Sequence, residues 1–289
     1  MREAYENNSN MMEWARKFSK NNQNTLQATM IAYDLQAGSY VANTEKNPEY
    51  NKIWGAQLSE FINLKINEGD SVLEIGVGEA TTLCSVYKNL KFKNIQLFGF
   101  DISWSRLFVA KNYLKNQNLS ANLFVADLFN IPLADESIDV VYTSHSLEPN
   151  GGKERDAIKE CLRVTRKALI LFEPIFELAS EEAKNRMSHH GYVKNLKNTA
   201  EDLGAKVEFY QLLKKYGNEL NPTGVILLTK KNKNLNNNHK LVCPITKSQL
   251  FDHENNCFVS NYGLVYPIIN GIPVLRSENA ILCSKFPRP

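Results

Sequence analysis

The chain has 289 residues, 43% of them hydrophobic and 22% charged, which is the make-up of an ordinary soluble globular protein long enough for one large domain and a smaller one. Its formal net charge of +3 is too small to argue for nucleic acid or an acidic membrane surface as a partner, and no apolar run approaches the length of a membrane span. Five scattered cysteines, Cys84, Cys161, Cys243, Cys257 and Cys283, and a polar, charge-broken start from Met1 to Lys20 suit a reducing cytoplasm better than a disulfide framework behind a signal peptide.

Residues 1–23 are Asn-rich, with an amphipathic patch at Met11, Met12, Trp14, Ala15 and Phe18 that reads as a helix packed on the main domain. Leu26, Met30, Ile31, Tyr33 and Leu35 predict a helix over 24–37, capped by Asn24 or Thr25 and stopped by Gly38, which makes Gly38-Ser39-Tyr40 a tight turn. A further helix over about 48–66 carries Tyr50, Ile53, Trp54, Leu58, Phe61, Ile62 and Leu64 at helical spacing, as core contacts. From Asp70 strands are expected at 71–75, 95–100, 122–125, 138–143 and 168–172, separated by helices at 80–90, 104–114 and 154–167. That alternation argues for a parallel sheet covered by helices on both faces. After Pro174 come a polar helical stretch to about Leu203 and strands at 206–213 and 224–229, whose short gap suits a hairpin and hence an antiparallel last strand. The run K-K-N-K-N-L-N-N-N-H at 230–239 reads as a linker, and the β-type runs punctuated by Asn, Gly and Pro beyond it as a small β-rich module.

Chemistry concentrates in S-V-L-E-I-G-V-G-E-A-T-T-L, residues 71–83: a strand ending in an acid, a turn through Gly76 and Gly78, and the start of a helix. The glycine turn alone fits a nicotinamide, a flavin or an S-adenosylmethionine site. Glu74 narrows the choice, because a carboxylate beside a pyrophosphate is unfavourable and one beside a cationic or hydroxyl-bearing cofactor is not. Asp101 closes the next strand, where a carboxylate can accept both ribose hydroxyls, and Asp127 follows the third, where it can accept from an adenine amino group.

Over roughly 70–229 these residues resemble the class I S-adenosylmethionine-dependent methyltransferases, with Ala80 standing where a third glycine is common. The resemblance implies a Rossmann-like, doubly wound seven-stranded α/β sheet with its last strand antiparallel. It assigns the methionine portion of the cofactor to Glu74, Gly76 and Gly78, the ribose to Asp101 and its neighbour Ile102, and the adenine to Asp127 and its neighbour Leu128. Ser144, at the end of strand four, joins them, as does Tyr40 if it reaches the methionine carboxylate or the acceptor rather than serving as a structural tyrosine.

The acceptor side is read from S-H-S-L-E-P-N-G-G at 144–152, on the carboxyl edge where open α/β sheets bind ligands. His145 titrates in the right range for a base, with Glu148 to orient it or to bind a cationic acceptor; the histidine suits a packing or cofactor contact as well. Glu173-Pro174 and His189-His190 are weaker candidates that read equally as solvated loop residues.

At the C-terminus, L-V-C-P-I-T-K (241–247) and Y-P-I-I-N-G-I-P-V-L-R (266–276) resemble the Trm112-like modules that are sometimes fused to or partnered with methyltransferases. Thr246 replaces the second cysteine of the zinc-binding Cys-Pro-x-Cys, and Cys257 and Cys283 lack partners at ligand spacing, so no metal is expected and the module is a scaffold, lid or partner surface. The expected organisation is an N-terminal helical lid (1–69), a methyltransferase domain (70–230), a linker (231–239) and the small module (240–289). The expected function is methyl transfer from S-adenosylmethionine to a small molecule, for instance a sugar or sugar nucleotide, in the cytoplasm, with no membrane as partner and nucleic acid disfavoured but left open. The alternatives are an RNA or protein methyltransferase that grips its substrate with the module, a non-catalytic cofactor-binding partner protein and, most distant, a nicotinamide oxidoreductase.

Overall fold

The computed structural model describes residues 26–230, 241–254 and 256–286, with the backbone alone for 26–29. The Met11–Phe18 patch and all of the linker run except Lys230 lie outside the described residues. The chain opens with helices α1 (Leu26–Leu35), α2 (Ser39–Lys46) and α3 (Pro48–Ile62). It then alternates: β1 (Ser71–Ile75), α4 (Thr81–Asn89), β2 (Gln96–Asp101), α5 (Trp104–Asn116), β3 (Asn122–Val125), β4 (Ile138–Ser144), α6 (Glu154–Val164) and β5 (Thr165–Pro174). Helices α7 (Glu181–His189) and α8 (Leu196–Asp202) precede β6 (Lys206–Leu212) and β7 (Thr223–Thr229). Short strands β8 (Leu250–His253), β9 (Cys257–Ser260), β10 (Leu264–Ile269), β11 (Ile272–Pro273) and β12 (Ile281–Leu282) build the C-terminal sheet.

The main sheet runs β3-β2-β1-β4-β5-β7-β6, parallel except for β7, which is antiparallel to both neighbours. The seven strands and the reversed last strand agree with the expectation. Alternate strand residues feed two cores. Leu73, Ile75, Phe100, Val141 and Leu171 pack with α6 and α8 on one face, whereas Val72, Leu97, Val140, Tyr142 and Phe172 meet α3, α4 and α5 on the other. The order reverses between β1 and β4, and the cleft outside their carboxyl ends is where such a sheet receives a ligand.

The C-terminal sheet is seated on the free edge of β3. Val274 bridges Val125 in parallel, Leu275 N–H donates to Val125 O at 2.8 Å, and Val242 N–H donates to Pro132 O at 3.1 Å. Cys243, Leu250, Tyr266 and Leu275 enter one core and Ile272 and Val274 the other, so the module wraps an edge that would otherwise offer unpaired backbone groups.

Three local expectations change. Gly38 has φ of 100°, but the chain does not linger in a turn there: Ser39 and Tyr40 open α2. Helix α3 ends at Ile62 and α6 at Val164, because Thr165 already pairs with Ile138. On α3, Trp54, Leu58, Phe61 and Ile62 are core, while Tyr50 (50% exposed) and Ile53 (40%), and Leu64 (57%) just past its end, all expected in the core, face outward or into the cleft. Among the described residues no helix is long and apolar enough to cross a membrane.

Candidate active site

A cavity of about 700 Å³ opens at the carboxyl ends of β1, β2 and β4, and the residues assigned to the cofactor and to the acceptor pair line it: Tyr40, Glu74, Gly76, Gly78, Asp101, Ile102, Asp127, Leu128, Ser144, His145 and Glu148. Glu173 and His189 do not; His190 does.

The glycine turn is shaped by close approach. Gly76 has φ of 67°, and a Cβ there would stand 2.4 Å from that of Ser146, so β1 and the loop after β4 meet only because the side chain is missing. Gly78 has φ of 53°. Ala80, where a third glycine is common, is left-handed as well (φ 58°) and fully buried; its methyl is tolerated at about 1 kcal/mol.

Each strand end delivers one acid. Glu74 is 2% exposed and accepts from the Tyr142 hydroxyl at 2.8 Å. Burial, reinforced by the charge of Asp101, pushes its carboxyl up to about 8 against the hydrogen bond from Tyr142. Asp101 accepts from Gly78 N–H at 3.0 Å and Ser103 N–H at 2.9 Å, which ties β2 to the glycine turn. Burial raises its pKa while the Arg106 guanidinium pulls it back. Asp127 accepts from Phe129 N–H at 3.0 Å, and burial raises it too.

The N-terminal helices close over this end. Glu79, 2% exposed, accepts from Gly38 N–H at 3.0 Å and Val41 N–H at 2.7 Å, so an acid of the glycine turn satisfies the start of α2. Asp34 accepts from the Ser103 hydroxyl at 2.8 Å.

At the other end, His145 has φ of 58° and both ring nitrogens engaged: Nδ1 with Glu148 Oε2 at 2.5 Å and Nε2 with Thr223 Oγ1 at 2.9 Å. Burial pulls the imidazole pKa down, but Glu148 and the charge of Glu173 carry it above its ordinary value. Glu148 is held by Asn221 at 3.2 Å, and the histidine holds its pKa low against burial. Glu173 is no solvated loop residue. It is fully buried and gathers the N–H groups of Ser146 (3.0 Å), Leu147 (3.1 Å) and Glu148 (3.1 Å), fixing the loop that presents the histidine.

The sequence reading missed Trp54, Tyr50 and Asn51 on α3, Arg106 on α5, and Arg186 and Tyr192 in the insertion after β5, all of which line the cavity. Trp54 packs against His145 at 5.9 Å and donates to Ser144 Oγ at 3.4 Å. Its place one turn from Tyr50 on the helix before the glycine turn was the available signal. Among the described residues no group of three or more His, Cys, Asp or Glu side chains could hold a metal ion.

Residues 72–168 match the family model of a methyltransferase domain. Among solved structures, a chain from the complex of the Haloferax volcanii Trm112 methyltransferase activator is similar over 67% of this chain and 96% of its own, at 13% identity and a TM-score of 0.51. An S-adenosylmethionine-dependent methyltransferase from Methanosarcina mazei matches 60% of this chain and 97% of its own at 17% identity (TM-score 0.49). Geranyl diphosphate C-methyltransferase from Streptomyces coelicolor matches 60% and 77% at 9% identity (TM-score 0.47). At these identities the likeness is one of fold. No curated protein matches the chain. The strands from β1 to the start of β5, with the acids and glycines that ring the cavity, thus fall within a methyltransferase domain.

Proposed function

We propose that this chain transfers the methyl group of S-adenosylmethionine to a small-molecule acceptor, with a sugar or sugar nucleotide as the favoured class. The donor is S-adenosylmethionine, which supplies an electrophilic methyl on a sulfonium. The observation that carries the reading is the row of acids Glu74, Asp101 and Asp127 at the ends of β1, β2 and β3, all on one cavity with Gly76 and Gly78. Glu74 faces the positive methionine end, with Gly76 and Gly78 keeping the turn open for it. Asp101 accepts the ribose hydroxyls, and Ile102 walls that side. Asp127 accepts the adenine amino group beside Leu128. Ser144 and Tyr40 border the methionine end.

The remaining wall of the cavity favours a hydroxyl-rich acceptor. Tyr50 and Trp54 are stacked at 6.4 Å, and Asn47, Asn51, Asn150 and Asn221 line the same cavity. Such flat apolar faces with donor–acceptor amides suit a sugar ring. His145 and Glu148 are the acceptor-facing pair. Glu148 holds Nδ1, and an acceptor hydroxyl would replace Thr223 at Nε2 to hand over its proton; alignment supplies the rest of the acceleration. The C-terminal sheet is proposed as a Trm112-like scaffold. Lys247 and Ser277 both bond Asn130 in the turn after Asp127, so the module buttresses the adenine end.

Methyl-donor turnover against fractionated small metabolites and against RNA tests this reading: transfer to RNA alone would overturn the acceptor class, and binding of NADH in place of S-adenosylmethionine would overturn the donor. Asp101→Ala should weaken cofactor binding at least tenfold by calorimetry, since hydrogen bonds to a charged group are worth about 1.5–3 kcal/mol each. Asp101→Asn keeps an acceptor for Gly78 N–H and separates ribose binding from damage to the turn; unchanged affinity in both removes the role. His145→Ala should lower kcat at least a hundredfold with cofactor affinity intact, and full turnover in the folded variant would take it out of the mechanism.

A further inference from the structure

The group at the cofactor end that the acids do not explain is Arg106. It sits in the first turn of α5 and is only 6% exposed. Its guanidinium packs against two aromatic rings of the N-terminal helices, with its carbon 4.8 Å from the Tyr33 ring centre and 4.6 Å from that of Tyr40. Nη1 reaches the glycine turn, 3.5 Å from where a Cβ on Gly78 would stand. Nε and Nη2 are buried with no hydrogen-bond partner among the described residues.

Those two atoms form one edge of the guanidinium, the pair of parallel N–H groups that grips a carboxylate side-on. With both rings packed against the guanidinium, the unbonded Nε–Nη2 edge is the part left for a ligand. The neighbouring acids are committed to backbone and hydroxyl donors: Asp101 to Gly78 and Ser103, Asp34 to Ser103 and Ser105, Glu79 to Gly38 and Val41. Asp101 supplies a neighbouring charge but no hydrogen bond to this edge, so the idle donor pair calls for an acceptor, and an anionic one suits it best.

We infer that the Nε–Nη2 edge of Arg106 binds a carboxylate, that of the methionine moiety of S-adenosylmethionine, with Tyr33 and Tyr40 holding the guanidinium plane in place. This rests on the methyl-donor reading. The carboxylate is the one anionic group of that cofactor, and the position beside Gly78 and Asp101 puts Arg106 at the cofactor end, away from His145. Tyr40, half exposed on the opening turn of α2, is the more open of the two rings. A carboxylate on the acceptor is the other source of the same chemistry.

The experiment compares S-adenosylmethionine with its decarboxylated analogue by calorimetry on the full chain, in wild type, Arg106→Met and Arg106→Lys, with thermal melts to confirm folding. Wild type should bind S-adenosylmethionine at least tenfold more tightly than the decarboxylated analogue. Arg106→Met, which keeps the apolar stem between the rings, should lose that preference by weakening the parent cofactor alone, and Arg106→Lys should retain part of it. Equal affinity of wild type for the two, or an equal loss for both in Arg106→Met, overturns the proposal by reducing Arg106 to a structural cation. An Arg106→Met protein that keeps the preference but shows a raised KM for a carboxylate-bearing acceptor overturns the assignment to the cofactor. A wild type that binds neither donor removes the methyl-donor reading itself, and the proposal with it; a protein that binds both alike removes only the proposal.

Discussion

Glu173→Ala should lower the melting temperature by about 10 °C and abolish turnover, although the residue touches neither cofactor nor acceptor. Its carboxylate collects three consecutive N–H groups of the loop after β4, and its removal leaves Ser146, Leu147 and Glu148 without their acceptors. One stranded donor costs about 1–3 kcal/mol, so for three of them a loss of roughly 3–9 kcal/mol is expected, at about 2 °C per kcal/mol for a chain of this size. The same loop carries His145 in a left-handed conformation that this network sustains. Glu173→Gln separates geometry from charge. One amide oxygen can still serve Ser146 and Leu147, which share Oε1, while Glu148 N–H, on Oε2, faces an amide nitrogen instead.

The pH dependence follows from the same carboxyl. Burial pushes Glu173 up to about 7, although the histidine charge and the loop N–H groups oppose it. The folded chain therefore holds a proton that an unfolded chain, with its ordinary carboxyl, releases near pH 4.3. A raised folded value means stability from this group is present in full below about pH 4 and falls as pH rises toward 7. Melts of wild type and both variants between pH 5 and 8 should show that slope in wild type and its flattening in Glu173→Gln. A Glu173→Ala protein that melts with wild type at every pH would show that the loop is held by something else.

The sheet was legible because its central strands bury both faces. Runs such as Ser71–Ile75 and Asn122–Val125 are short, apolar and bounded by turn residues, and a parallel sheet admits little else. The acids were legible for a related reason: a carboxylate at the end of a buried strand has few uses except to meet a ligand or a loop. Periodicity failed on α3. Helical spacing shows that Tyr50 and Trp54 share a face, but not whether that face meets core or cavity, and here the same stripe runs from the core at Leu58 and Ile62 out to the cleft. Arg106 was hidden because an arginine in a first helical turn ordinarily reaches solvent, and only the packing of Tyr33 and Tyr40 over it makes it a buried cation. Glu173 was hidden by its partners, since nothing local to β5 tells that the loop after β4 folds back to offer it three donors. What escapes the sequence in each case is a contact between segments far apart in the chain.

Binding of S-adenosylmethionine should expel a proton from Glu74. In the free site burial holds the carboxyl at about 8, with the Asp101 charge acting in the same direction and Tyr142 against it, so near pH 7 Glu74 is mostly protonated. A sulfonium and an ammonium brought beside it favour the ionised form and lower that pKa. Affinity should therefore rise with pH between the lowered value of the complex and about 8, by up to tenfold per unit, and level off above 8, where the free site is already ionised. At pH 7 the unpaid proton weakens binding by about 1.4 kcal/mol, one unit of pKa. S-adenosylhomocysteine keeps the ammonium and lacks the sulfonium, so its slope should be shallower. Glu74→Gln, which still accepts from Tyr142 but cannot ionise, should bind the cofactor more weakly above pH 8 and lose the slope altogether. Calorimetry in two buffers of different ionisation enthalpy reads the released proton directly. A pH-independent affinity with no proton release would mean that the positive end of the cofactor lies elsewhere. The cofactor would then be reversed relative to Asp101 and Arg106, because a buried carboxyl at this value cannot face two positive charges and keep its proton.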